Sequence, residues 1–192
     1  MVNIRPESSE SALFHYPASD LADLQAEALE LPMICVESGD REEEQVRALR
    51  EALELAREEY GVEGAVTGAV KSVYQATRFR RVCGELGLRC FNPLWLMDEE
   101  RLMERILSCG FKALITRLAV YPFEERFLGR FVDEEFVEYL RRIGANLSGE
   151  GGEYETLVTW MPMFKREIRI LKYSKIVRES EGEILIERAE LG

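Results

Sequence analysis

The sequence has few of the residues on which several common kinds of site depend. It contains one histidine, His15, and four cysteines at positions 35, 83, 90 and 109, none of which forms a Cys-x-x-Cys pair. We therefore expect neither a zinc site nor a Cys–His catalytic pair. The cysteines favour buried, reduced thiols of a cytoplasmic protein. No apolar run approaches the roughly 20 residues that cross a bilayer, and the N-terminus has no apolar signal core, so neither a membrane segment nor secretion is predicted.

The chain also has fewer basic than acidic residues. The chain has 25 Lys and Arg against 36 Asp and Glu, which gives a net charge of −11. This balance disfavours a nonspecific nucleic-acid binder, which needs a basic face. It leaves a small molecule or a basic partner surface as the ligand. With 192 residues, 46% of them apolar, the chain has the composition of an ordinary globular protein of one sizeable domain or one domain with a small appendage.

Strand-like and helical patterns alternate along the first part of the chain. Apolar strand-like segments lie at 32–38, 63–70 and 88–95, and each is followed by a helical pattern. Strands separated by helices predict βαβ units and a parallel sheet. Asp98 and Asp133 are suited to begin helices as N-caps.

The strand-like segments near the C-terminus have no helix between them. We therefore predict an α/β fold, with a parallel sheet and flanking helices followed by a small, mixed or antiparallel, β-rich C-terminal part. The first part is placed at residues 1–110 and the second at 111–192.

The most unusual stretch is GEGGEYE at 149–155, with three glycines and three glutamates in seven positions. A Walker-type phosphate loop needs Gly-x-x-x-x-Gly-Lys-Ser/Thr, but no lysine follows here before Lys165. Carboxylates repel phosphate unless a metal intervenes. Glu150, Glu153 and Glu155 are therefore better suited to a cation, such as an ammonium, a quaternary amine or Mg²⁺, or to the role of a general base. The same stretch is also compatible with a solvated turn before a strand.

A second candidate is TGAVKSVYQATR at 67–78, which follows a predicted strand. Open parallel sheets bind ligands beyond the carboxyl ends of their strands. Gly68 and Ala69 leave room for a ligand near the backbone, and the next helix offers its amide hydrogens to an anion. Further donors are Ser72, Tyr74, Gln75 and Arg78. The competing interpretation is a tight turn with polar surface residues. The NPLW stretch at 92–95 is interpreted as an ordinary end of a strand, and His15 as a packed or surface residue.

Five stretches, in this order and at matching spacing, resemble the diphthine–ammonia ligase family, also called diphthamide synthetase. They are LADLQAEALELP, GAVTGAVKSVYQATRFRRVCGELGL, FNPLW, FLGRFVDEEFVEYL and GEGGEYETLV, and together they extend over essentially the whole chain. The Glu-Gly-Gly-Glu core followed by an aromatic residue, glutamate and threonine is the most specific of these signals.

The resemblance implies an adenine nucleotide α-hydrolase-like domain of the PP-loop ATPase type, followed by a smaller domain. It implies a cytoplasmic ligase that uses ATP and Mg²⁺ to activate the carboxylate of diphthine on elongation factor 2. Ammonium then displaces AMP and leaves diphthamide. The implied partners are elongation factor 2, ATP and ammonium, with no nucleic acid and no membrane; a homodimer is a further option.

The resemblance also implies roles for individual residues. The catalytic carboxylates are Glu150, Glu153 and Glu155. The substrate-binding residues are Gly149, Gly151, Gly152, Tyr154 and Thr156. The nucleotide-binding residues are Gly68, Ala69, Ser72, Tyr74, Gln75, Arg78 and His15. The roles of the glutamates agree with the inference that their carboxylates are suited to a cation, because the trimethylammonio group of diphthine and ammonium are both cations.

One family feature is not found in the sequence. Family members begin with a strand and a Ser-Gly-Gly-Lys-Asp-Ser loop that grips pyrophosphate, and these 192 residues contain no such motif. That strand lies at the centre of the family's sheet, where each backbone group left unpaired costs roughly 1–3 kcal/mol. The sequence leaves three explanations, a missing N-terminus, direct pairing of the other strands, or a strand from another chain, and we expect the first.

Three functions are compatible with these observations. The first is the ATP-dependent ligase. The alternative is a catalytically degenerate module that binds a nucleotide or a cation without ligase activity. The third is a regulatory or scaffold dimer assembled through the antiparallel tail.

Overall fold

The computed structural model describes residues 1–7 and 21–192, which form two compact units. The described part of the first unit is 1–7 and 32–97, and the second unit consists of Leu21–Leu31 and Asp98–Gly192. The elements in chain order are β1 (Val2–Pro6), α1 (Ala22–Ala28), β2 (Ile34–Ser38), α2 (Glu42–Tyr60), β3 (Gly64–Val66), α3 (Val73–Glu85), β4 (Arg89–Phe91), α4 (Glu99–Ser108), β5 (Lys112–Leu118), a 3₁₀ turn (Glu125–Phe127), α5 (Glu134–Ile143), β6 (Tyr154–Trp160), β7 (Ile168–Val177) and β8 (Gly182–Leu191). His15 lies outside the described residues. Within the described part of the chain, no helix is long and apolar enough to cross a membrane.

The first unit contains the predicted parallel strands and helices, but not one continuous sheet. β1 pairs with β2, and β3 pairs with β4, both in parallel. Among the described residues no strand hydrogen-bonds to both pairs, so direct pairing of the remaining strands is not observed. The two pairs are instead connected through packing, because one hydrophobic core takes side chains from both of them and from α2 and α3.

Helix α2 supplies the largest part of that core. Its buried apolar side chains recur every three or four residues and so form one stripe. The members of the stripe are Ala48, Leu49, Ala52, Leu53 and Ala56. Gly61 ends the helix in the left-handed conformation, at φ 63°.

The second unit is built on a four-stranded antiparallel sheet in the order β6-β5-β8-β7. The predicted antiparallel C-terminal part is therefore confirmed. An aromatic cluster packs with it, in which the ring of Phe127 lies 5.1 Å from that of Phe136 and 4.6 Å from that of Tyr139. Ile115 and Leu118 of β5 are fully buried in the same core.

Three helices begin at the side-chain caps that their sequences offer. Ser72, Asp98 and Asp133 each accept a hydrogen bond from a backbone amide in the first turn of α3, α4 and α5, respectively. The predicted caps at Asp98 and Asp133 are confirmed. Helix α5 ends at Gly144, which is left-handed at φ 71°, and this residue leads the chain into the glycine-rich stretch.

The expectation that all four cysteines are buried holds for Cys83 alone, since Cys90 is half-buried and Cys35 and Cys109 are exposed. Cys83 is buried, and burial raises the pKa of its thiol to about 11. Cys35 is exposed because alternate residues of β2 face away from the core, and Cys109 is exposed at the C-terminus of α4. All four are free thiols.

The aromatic cluster predicts a large stability effect at Phe127, which is fully buried. Phe127→Ala is expected to lower the free energy of unfolding by about 3–5 kcal/mol, because it removes the ring that contacts both Phe136 and Tyr139. Phe131→Ala is the control, since Phe131 is 43% exposed, and it is expected to cost about 1 kcal/mol or less. Urea denaturation followed by circular dichroism measures both, and equal losses would contradict the assignment of this cluster as the core.

Candidate functional site

The acidic, glycine-rich loop of residues 144–153 is attached to the core at Tyr154, the first residue of β6. The Tyr154 hydroxyl donates a hydrogen bond to the carbonyl oxygen of Leu147 at 2.6 Å, so it closes the loop across its base. Its ring meets Phe136 edge-on at 5.1 Å, and the residue is only 8% exposed. Burial, with Glu153 and Glu99 nearby, raises the pKa of Tyr154, so the phenol is protonated and donates at neutral pH. The predicted substrate-binding residue Tyr154 therefore lies in the core of the second unit.

Polar side chains fix the first half of the same loop. The Glu99 carboxylate accepts a hydrogen bond from the amide of Leu147 at 2.9 Å and so connects the loop to α4. The side-chain oxygen of Asn146 accepts from both the amide and the hydroxyl of Ser148, at 2.9 and 2.7 Å. The backbone that presents the glutamates is thus held from both ends.

The backbone geometry and close packing of the loop explain why glycine occupies these positions. Gly149 and Gly152 have φ of 72° and 81°, which side chains rarely tolerate. A Cβ on Gly151 would lie 2.5 Å from the Glu153 carboxylate. The missing side chain therefore lets that carboxylate fold back over the turn.

Glu153 is the predicted glutamate that lies closest against the loop. Its Oε1 accepts a hydrogen bond from the amide of Asn146 at 3.3 Å, and its backbone carbonyl accepts from Ala119 at 2.7 Å. Its Oε2 is buried and has no hydrogen-bond partner among the described residues. A buried carboxylate oxygen with an unused acceptor position is suited to a small cationic donor.

Glu155 has a different environment, because it lies on β6 opposite Arg117 of β5. The Arg117 guanidinium is 3.7 Å from the Glu155 carboxylate and 3.1 Å from that of Glu181. Hydrogen bonds from Arg178 and Arg117 lower the pKa of Glu181. Glu155 is thus already balanced by a cation of its own unit.

The structure brings the three predicted glutamates onto one loop and the strand that follows it. Glu150 is half-buried in the turn, and Thr156 is exposed on β6. Within residues 1–7 and 21–192, no group of three histidine, cysteine or acidic side chains could hold a metal ion.

The predicted nucleotide-binding turn lies in the first unit, between β3 and α3. Ser72 caps α3 and accepts from the amide of Gln75 at 3.3 Å. Gly68 is exposed, and a Cβ added to it would meet nothing within 4 Å, so the fold itself does not require glycine there. Ala69 is 5% exposed and packs inside the unit.

Arg78 is already engaged by its own neighbours. Its guanidinium lies 3.3 Å from the centre of the Tyr74 ring and donates to the carboxylate of Glu42 at 2.6 Å. It also donates to the backbone carbonyl of Tyr74 at 3.0 Å. Burial raises the pKa of Tyr74. In this arrangement Arg78 packs at the start of α3, and its charge is already paired with the Glu42 carboxylate.

Two polar residues near this turn, Thr67 and Asn92, are not among the site residues predicted from the sequence; Thr67 is buried, and Asn92 is half-buried with buried side-chain polar atoms. Each directly follows a strand of the β3–β4 pair. The position itself is the signal that would have found them, since the first residues beyond parallel strands commonly contact ligands.

These features define a two-unit α/β protein with a strand-to-helix turn in one unit and an anchored acidic loop in the other. Two family models match the chain in order: the diphthamide synthase N-terminal domain over residues 1–90 and the diphthamide synthase C-terminal domain over residues 98–191. The chain belongs to this family of ligases.

Named relatives agree with this assignment. The diphthine–ammonia ligases of Bos taurus and Homo sapiens are each 31% identical over 202 residues, which cover 94% of this chain and 75% of theirs. The diphthine–ammonia ligase of Schizosaccharomyces pombe is 29% identical over 206 residues, which cover 96% of this chain but 33% of that longer protein.

The anchor of the loop predicts a specific loss of stability. Tyr154→Phe is expected to lower the free energy of unfolding by about 1–3 kcal/mol, because the carbonyl of Leu147 loses its buried donor. Tyr121→Phe is the matched control, since Tyr121 is 88% exposed, and it is expected to be neutral. Chemical denaturation measures both variants, and a neutral Tyr154→Phe would show that the hydroxyl does not hold the loop.

Proposed function

We propose that this chain is a diphthine–ammonia ligase, which uses ATP to amidate the carboxylate of diphthine on elongation factor 2. The observation that carries the proposal is the match to both halves of the diphthamide synthase family, in order, over residues 1–90 and 98–191. The environments of the candidate residues add support of a different kind, because they are compatible with the charges of the substrates.

We assign nucleotide binding to the N-terminal part, which the sequence places at 1–110, and substrate binding to 111–192. The parallel strands and helices of the first unit are compatible with a fold of the PP-loop ATPase type. In this proposal Gly68 and Ala69 allow a nucleotide to approach the backbone beyond β3, and the start of α3 faces its negative charge. Ser72, Tyr74, Gln75 and Arg78 shape that turn. His15 is assigned to the adenine side.

The reaction needs two successive displacements. The diphthine carboxylate attacks the α-phosphorus of ATP and releases pyrophosphate, which leaves an acyl adenylate. Ammonia then attacks the acyl carbon, and AMP departs with the electron pair of the broken C–O bond. Because ammonium has no lone pair, it must lose a proton before it attacks, and a carboxylate is a suitable acceptor.

The acidic loop supplies carboxylates for this step. We assign Glu153 to hold ammonium and accept its proton, since the Glu153 Oε2 is buried and has no hydrogen-bond partner among the described residues. Glu150 is assigned to the trimethylammonio group of diphthine, a cation that cannot donate a hydrogen bond and is recognised by charge. Glu155 has an electrostatic role, limited by its pairing with Arg117. The backbone that carries them is formed by Gly149, Gly151 and Gly152, and Tyr154 and Thr156 border it.

Magnesium would accompany ATP as the counter-ion of its phosphates. Proteins usually hold Mg²⁺ through one or two carboxylates together with phosphate oxygens and water. The ion would neutralise the triphosphate, while the binding and the proton transfers described above belong to the side chains.

The central test of this mechanism is Glu153→Gln. The substitution keeps the size of the side chain and an acceptor for the Asn146 amide but removes the charge, so amidation is expected to be abolished while the affinity for nucleotide stays within a few-fold. Glu179→Gln is the control, because Glu179 is an exposed acid in the turn between β7 and β8. The assay combines the chain, ATP, ammonium and elongation factor 2 bearing diphthine, and mass spectrometry distinguishes acid from amide. Full activity of Glu153→Gln would remove Glu153 from the mechanism.

The same assay separates the ligase from the alternative read from the sequence. Release of AMP together with the amide supports the ligase. Nucleotide binding by calorimetry without any amide supports a binding module that lacks catalysis.

A further inference from the structure

Thr67 and Asn92, which have no role in the mechanism above, lie side by side in the first unit. Val66 and Phe91, the last residues of β3 and β4, are paired in parallel register, and the amide of Thr67 donates to the carbonyl of Phe91 at 2.9 Å. Both residues therefore lie at the carboxyl edge of the strand pair. This edge is where open parallel sheets bind their ligands.

Both side chains have polar atoms that are buried and unused. Thr67 is 9% exposed. Its Oγ1, and the Oδ1 and Nδ2 of Asn92, have no hydrogen-bond partner among the described residues. Buried polar side-chain atoms are nearly always hydrogen-bonded. An apolar side chain of the same size would serve the fold as well or better, so the polar atoms indicate a ligand.

The two turns that carry these residues are fastened together. The amide of Leu96 donates to the carbonyl of Val70 at 2.8 Å, and that of Trp95 donates to the carbonyl of Asn92 at 3.2 Å. Leu96 has φ 57°, a left-handed conformation that is uncommon for residues other than glycine. Thr67 and Asn92 are thus held by a connected and locally strained backbone, as is common at binding sites.

The helix start and the sequence around this pair favour an anion. Residues 64–84 contain four basic and no acidic residues, although the whole chain carries −11; one of the four, Arg78, is paired with Glu42. Helix α3, 13 residues long, begins at Val73 and adds the positive end of its dipole. The Thr67 hydroxyl and the Asn92 amide nitrogen are both hydrogen-bond donors. Two such donors beside the start of a helix are suited to an anionic oxygen.

We propose that Thr67 and Asn92 form a subsite that donates hydrogen bonds to an anionic oxygen of a phosphate or a carboxylate. The identity of the bound anion rests on the proposed function, because that reaction brings both a nucleotide phosphate and a substrate carboxylate to the protein. The ligand chemistry, an anionic oxygen with two donors, is the same for either source.

The test compares Thr67→Val and Asn92→Leu with the matched control Thr77→Val. The Thr77 hydroxyl already donates to the carbonyl of Val73 at 2.7 Å, within α3. The chain has only three asparagines, Asn3, Asn92 and Asn146, so selective ¹⁵N labelling of asparagine in the full chain resolves the Asn92 side-chain amide. The probes are AMP, inorganic phosphate, acetate and adenosine.

Anionic probes are expected to shift the Asn92 amide resonance, and adenosine is not. Thr67→Val and Asn92→Leu should each weaken binding of the anion by about tenfold, the effect of losing one hydrogen bond to a charged group. Thr77→Val should bind like the wild type. A response to phosphate and AMP alone identifies the nucleotide as the source, and a response to acetate alone identifies the carboxylate.

The subsite is overturned if no anion shifts the Asn92 resonance, if Thr67→Val binds as tightly as the wild type, or if adenosine alone gives the shift. The melting temperature is a second measurement, and Thr67→Val should keep or raise it, because an unused buried hydroxyl is lost. A marked decrease in the melting temperature would show that the Thr67 hydroxyl has a structural partner, and would also count against the subsite.

A chain that binds phosphate through Thr67 but forms no amide contradicts the proposed function alone. Amide formation by both variants at the wild-type rate contradicts the subsite alone.

Discussion

The hydrogen bond from the Tyr154 hydroxyl to the Leu147 carbonyl is the interaction on which the candidate site most depends. Glycine loses more conformational entropy on ordering than any other residue, so a stretch with three glycines needs an external constraint to keep one shape. Tyr154 supplies that constraint because its ring is fixed in the aromatic core beside Phe136. The geometry of the acidic loop is in this sense a consequence of core packing in the second unit.

This anchoring explains how the loop can keep carboxylates close to its own backbone. Gly151 has no side chain, so the Glu153 carboxylate folds over the turn, where one of its oxygens is buried. A buried carboxylate oxygen without a hydrogen-bond partner is unfavourable, and binding of a cationic donor relieves that cost. Residues 64–84 of the first unit differ from this loop, since they contain no acidic side chain. A ligase that binds both cationic and anionic groups benefits when the cation-binding and anion-binding residues lie in separate parts of the chain.

Much of the architecture could be predicted from local signals in the sequence. Asp98, Asp133 and Gly144 mark helix ends through cap geometry that depends on only a few neighbouring residues. The antiparallel C-terminal part follows from strands that have no helix between them. The sequence left open whether the remaining strands pair directly, because strand pairing depends on contacts between segments distant in sequence, and the structure shows the β1–β2 and β3–β4 pairs separate.

The chemistry of the site was less accessible from sequence than the fold. The spacing of the glutamates indicates a cation, but it does not reveal that Arg117 balances Glu155 or that Tyr154 lies in the core. Arg78 looks like an anion ligand in the sequence, whereas in the structure it stacks on Tyr74 and pairs with Glu42. Each of these side-chain environments is created by a residue from another element, so no local pattern encodes it.

The mobility of the acidic loop in solution tests most directly whether Tyr154 holds the loop in one shape. Backbone ¹⁵N relaxation gives order parameters for Gly149, Gly151 and Gly152. A loop held by Tyr154 is expected to give values of about 0.85, as in rigid backbone such as β6. Values below about 0.6 would mean that the loop samples many conformations, and would contradict a preformed arrangement of its carboxylates.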